Sequence, residues 1–116
     1  MTRRFNLGGV SVTVASSFRQ RLVGLLGRRS LAPNAGLLLV PCNHIHTAFM
    51  RFDIDAVFFN DIGIVLDIRP ALGPFRVVVV AGAAACLELP SGGAARLGLW
   101  RGQRLAPMAS VLRGRP

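Results

Sequence analysis

In the stretch GVSVTVA, Val10, Val12 and Val14 alternate with Ser11 and Thr13. A strand sends successive side chains to opposite faces, so this spacing specifies a half-buried strand and not a helix. The same period returns along the chain in short runs stopped by Gly, Pro or Asn, and nothing else restricts the fold as much. NLGG, just before the first run, is a turn signal, so a hairpin opens the chain. LLLVP, ended by Pro41, suits a short buried strand. In AVFFNDIGIVLDIRP, Asn60, Asp61 and Gly63 interrupt two apolar runs, which predicts a second hairpin. FRVVVVAGAA and CLELP add two strands around Gly82. Short strands at this spacing predict a mainly β chain, folded as a compact β-sandwich or barrel.

One stretch follows a different period. Ser17 and Gln20 have capping-box spacing, Phe18, Leu22, Leu25 and Leu26 share a helical face, and Gly27 suits a C-terminal cap. A single N-terminal helix over Phe18–Leu26 is therefore expected to pack alongside the sheet. SGGAARLGLW could add one helical turn capped by Ser91, RGQRLAP a last turn and strand, and residues 107–116 are expected to fray.

A 116-residue chain without a linker or repeat reads as one domain, residues 1–116, able to bury roughly two-thirds of its unfolded surface without a staple. Cys42 and Cys86 do not make a disulfide framework and read as reduced thiols. The longest apolar run, VVVVAGAAACL, is about half a membrane span, and no signal-peptide core precedes the first glycine pair. A cytoplasmic protein is expected. The net charge of +9 invites a nucleic-acid reading, yet every basic residue is Arg and the 14 are dispersed from Arg3 to Arg115. No nucleic-acid motif accompanies them, which argues against such a partner. The 52% hydrophobic fraction hints at a homo-oligomer interface.

The reactive side chains gather in CNHIHTAFMRFDID. On one strand Cys42, His44 and His46 would face the same way, a possible ligand set for zinc, copper or iron, with Glu88 as a fourth ligand or as acid/base. The plainer alternative is a buried thiol and two satisfied imidazoles. If the strand runs on through Asp53, His46, Met50 and Phe52 share a face and could line an apolar pocket with a polar mouth. Arg51 beside His46 would suit a carboxylate or phosphate. No Gly-flanked nucleophile elbow or paired catalytic carboxylates stand out, so the balance leans away from an enzyme.

Three ordered motifs carry a family resemblance. HIHTAFMRFDID resembles the central motif of one branch of the domain-of-unknown-function-192 family, DUF192, with His46, Thr47, Met50, Arg51, Phe52, Ile54 and Asp55 matching. Upstream, Arg21, Gly24, Leu25 and Arg28 match its helix. Downstream, Glu88, Pro90 and Gly92 match its Leu-Glu-Leu-Pro-x-Gly segment and Gly102 the Gly of the Gly-Asp that follows. The likeness spans about residues 10–106. Asp53 stands where the family has Pro, Leu26 where it has Met and Gln103 where it has Asp. A second branch lacks the His, which counts against a His-bound metal across the family. The resemblance implies a mainly β sandwich or barrel with one helix, and no reaction, ligand or cofactor.

The leading expectation is therefore a small ligand- or partner-binding β module without a cofactor. Its pocket would use His46, Thr47, Met50, Arg51, Phe52, Asp55 and Glu88, with Glu88 holding Arg51 or His46, for a small anionic ligand or a protein partner. The alternative is a metal-dependent enzyme, with zinc or iron on Cys42, His44 and His46.

Overall fold

The computed structural model describes residues 3–15, 31–47 and 50–113. Among these residues eight strands are present: β1 (Arg3–Leu7), β2 (Val10–Ala15), β3 (Ala35–Leu39), β4 (His44–His46), β5 (Ile54–Phe59), β6 (Val65–Leu72), β7 (Val77–Val79) and β8 (Ala85–Pro90). Two short helices follow, α1 (Gly93–Arg96) and α2 (Ala106–Arg113). The expected helix over Phe18–Leu26 lies outside the described residues.

Six strands form one sheet in the order β1-β2-β3-β8-β5-β6, antiparallel throughout except for the β2–β3 pair. β4 and β7 form a separate antiparallel ribbon. The hairpins expected at NLGG and around Asn60–Gly63 are both present. The sheet is not closed into a barrel, because β1 and β6 end the order unpaired with each other. The physical reason lies in its two buried faces. A barrel wraps one core, whereas here side chains of both parities are buried along β3, β5 and β8. Such strands must be covered on both sides.

Leu38, Val57, Phe59 and Leu87 point to one face, where Ala94 of α1 and Met108 and Leu112 of α2 pack against them. Leu37, Leu39, Ala56, Phe58 and Cys86 point to the other, against Ile45 and Val78 of the ribbon and Met50. Full burial of one such side chain contributes about 1.5–3 kcal/mol. The result is three layers: helices, main sheet, ribbon.

Three local expectations need correction. The tail expected to fray instead carries α2, because Met108, Ala109 and Leu112 recur at helical spacing and reach the core. α1 is entered through Gly92, at φ 87°, and not capped by the Ser91 side chain, since only a left-handed residue turns the chain off β8 so sharply. Finally, the strand expected to run through the central motif stops at His46. Among the described residues strand geometry returns at Ile54, so the motif straddles a connection between ribbon and sheet.

Candidate functional site

Because β4 is only three residues long, the central motif divides between locations. In the β4–β7 register His44 lies opposite Val79, Ile45 opposite Val78 and His46 opposite Val77. Directly opposed residues share a face. Ile45 and Val78 are buried, so His44, His46, Val77 and Val79 point outward. Val77 is 72% exposed, Val79 66%, and Phe75, in the turn before β7, 78%. Arg51 and Arg76 are also exposed. The His44 ring nitrogen Nδ1 pairs with Asn43 Oδ1 at 3.0 Å.

Thr47 fixes this surface from below. It is fully buried, its hydroxyl donates to the Gly73 carbonyl at 2.6 Å and accepts from the Arg76 N–H at 2.8 Å. Its backbone N–H donates to the Arg76 carbonyl, and its carbonyl accepts from Phe75 N–H. Those bonds hold Phe75 in the left-handed region at φ 60°. For an aromatic residue this costs on the order of 1–3 kcal/mol and persists only where surrounding structure enforces it.

Met50 and Phe52 are not pocket walls beside His46. Met50 is buried in the core between ribbon and sheet and Phe52 packs against it, whereas His46 is exposed. Asp55 lies on the helix-facing side of β5. Its two carboxylate oxygens accept from Ala71 N–H and Ala94 N–H, both at 2.9 Å, tying an irregular β6 and the start of α1 to the sheet.

Glu88 holds neither Arg51 nor His46. It is 6% exposed, sits on the ribbon side of β8 between Leu37 and Ala56, and makes no ion pair among the described residues. Burial, and next to it the Cys42 thiol, push its carboxyl up to about 8. Cys86 is on the same face two residues earlier. Burial first, then the adjoining Cys42 thiol and Glu88, push its thiol well up. Cys42 therefore turns inward, toward Cys86 and Glu88, while the two His turn outward. The alternation expected for a Cys-x-His-x-His strand fails because Cys42 lies before β4 begins. Among the described residues no group of three His, Cys, Asp or Glu is arranged to hold a metal ion.

Two features escaped sequence reasoning. Asp67, in β6, accepts from Arg69 and Arg101. Burial raises its carboxyl, but the Arg69 hydrogen bond, the Ile68 N–H and the Arg charges outweigh this and hold it below the ordinary carboxylate range. Nothing local in the sequence marks a partner 34 residues away. The other is the exposure of Phe75, Val77 and Val79, since an apolar run announces a strand and not which parity is left outside. A hollow of about 210 Å³ lies against the LELPSG loop, lined by Gly8, Pro33, Asn34, Pro90, Arg96 and Leu97 among others, but no central-motif residue reaches it.

A family profile described as DUF192, Uncharacterized ACR, matches residues 2–107. No curated protein matches the chain. Among solved structures it is similar to a Sinorhizobium meliloti protein proposed as a transcription regulator, at 26% identity and TM-score 0.73, covering 89% of this chain and 88% of that one. It is also similar in fold to a Novosphingobium aromaticivorans protein of unknown function, at 20% identity and TM-score 0.73, covering 90% and 91%.

Proposed function

The chain belongs to the DUF192 family, and from that premise we propose that it is a binding module whose site is the outer face of the β4–β7 ribbon. The occupant is an extended, acidic and apolar segment of a protein partner. One observation carries the reading: Phe75, Val77 and Val79 are each about two-thirds exposed or more on a surface that Thr47 holds in a strained conformation. Clustered apolar exposure of this kind marks contact surfaces. Among the described residues β7 pairs with β4 alone, which leaves its other edge for an added strand. Arg76, exposed directly before β7, and the net charge of +9 favour an acidic segment. His46, on the outer face of β4, is the motif residue proposed to contact the anionic group. Met50 and Phe52 support the ribbon from inside. A regulatory role of the kind proposed for the Sinorhizobium meliloti relative is compatible with such a site.

The test is the affinity of a short synthetic peptide alternating Glu and Val, measured for the native chain and for a Val77→Thr, Val79→Thr double variant. The variant should bind roughly tenfold more weakly, because truncated apolar anchors dominate such losses. Binding should also weaken as salt rises. Equal affinity in both proteins would remove the ribbon face from the account.

A further inference from the structure

The inner side of the ribbon carries chemistry that the outer site does not use. Cys42 and Cys86 are 44 residues apart in sequence and neither is in a disulfide; one is half-buried and one fully buried. The backbone brings them together: Cys42 N–H donates to the Ala84 carbonyl at 3.0 Å, and Val80 N–H donates to the Asn43 carbonyl at 2.8 Å. These bonds clamp residues 42–43 alongside the segment leading into β8. The Cys42 thiol donates to the His44 carbonyl at 3.1 Å and packs on the core cluster that contains Cys86. Cys86 faces Cys42 from a sheet position fixed between Leu39 and Phe58.

We propose that Cys42 and Cys86 are a thiol–disulfide exchange pair: Cys42 reacts with a low-molecular-weight disulfide, and Cys86 then closes a Cys42–Cys86 disulfide beneath the ribbon. Cys42 is the entry point because it is the more accessible thiol, and a thiolate must reach the attacked sulfur. In the first step the Cys42 thiolate forms a bond to one sulfur of the small disulfide and expels the other half as a thiolate. In the second, the Cys86 sulfur, having lost its proton, bonds to Cys42 Sγ and expels the remaining half. Two protein thiols are oxidised, one small disulfide is reduced, and the two thiol protons end on the two released thiols. The high affinity of Cys86 for its proton makes the second step the slower one.

The experiment treats the reduced, folded chain with glutathione disulfide at neutral pH and follows intact mass. The expected product is two hydrogens lighter than the reduced chain, with Cys42 linked to Cys86 in the digest. A transient glutathione adduct on Cys42 should precede it. Ring closure should be at least about tenfold faster in the folded chain than in urea, because the fold holds the two sulfurs together. Cys86→Ser should stop at a stable adduct on Cys42, and Cys42→Ser should gain none while folded. A native chain that stays reduced, or stops at the adduct, overturns the proposal, as does closure no faster than in urea. If either variant fails to fold, the native-against-urea comparison still decides.

Discussion

Asp55 is the motif residue whose task the structure changes most. Both of its oxygens accept backbone N–H groups, one of them the buried Ala94 N–H, and the Ala71 bond supports a residue at φ 48°. Replacing it with Ala strands two donors, each costing about 1–3 kcal/mol. Asp55→Ala is therefore expected to lose roughly 2–4 kcal/mol in urea unfolding, with the slope little changed. A loss within about 0.5 kcal/mol, the usual range for surface substitutions, would show that these bonds are easily replaced by water. Thr47 is a comparable case, joining residues 73 and 76 through one hydroxyl. Both residues matched the family motif and were expected at a ligand pocket. A sequence motif marks residues whose identity matters, and a short polar side chain that satisfies backbone donors is as tightly constrained as one that touches a ligand.

At the scale of elements, period two recovered β2, β3, β5, β6, β7 and β8 and both expected hairpins. Each strand has enough alternating or continuous apolar residues to announce itself. β4 was overextended, because Met50 and Phe52 continue the alternation while the chain has already left the ribbon to cross to the sheet. α2 was missed because Pro107 near its start and the Gly-Arg-Pro end suggest a frayed tail, although Pro is well tolerated in a first helical turn. α2 docks against the β5–β6 turn, where Gly63 sits at φ 83° and a Cβ there would lie 2.8 Å from the Ala109 nitrogen. Gly63→Ala is accordingly expected to cost about 2 kcal/mol or more, through both the backbone conformation and the lost docking of α2. A thermal transition unchanged from the native chain would contradict this packing.

For the whole molecule, burial of the Glu88 carboxyl between sheet and ribbon makes stability depend on pH. Glu88 holds its proton up to about pH 8 in the folded chain and only to about 4.5 when unfolded. Stability from this group is therefore fully present below pH 4.5, falls as pH rises between the two values, and levels off above 8. The slope is about 1.4 kcal/mol per pH unit and the total about 5 kcal/mol. Asp67 acts in the opposite sense, with stability lost only as pH drops below the ordinary carboxylate range. Urea unfolding across pH 5–9 should show the decline in the native chain and not in Glu88→Gln; parallel curves would contradict the burial of an ionisable Glu88. No reading of the sequence could place Glu88 here, because its setting is made by β3, β5 and Cys42, all distant along the chain. The same layered build leaves Phe75, Val77 and Val79 exposed on the outer ribbon face, where the binding site is proposed. A backbone-amide NMR titration with the alternating Glu-Val peptide tests it most directly. The account predicts shifts concentrated in residues 43–47 and 75–80. Shifts centred instead on the hollow beside Pro90 and Arg96, or on α2, would contradict it.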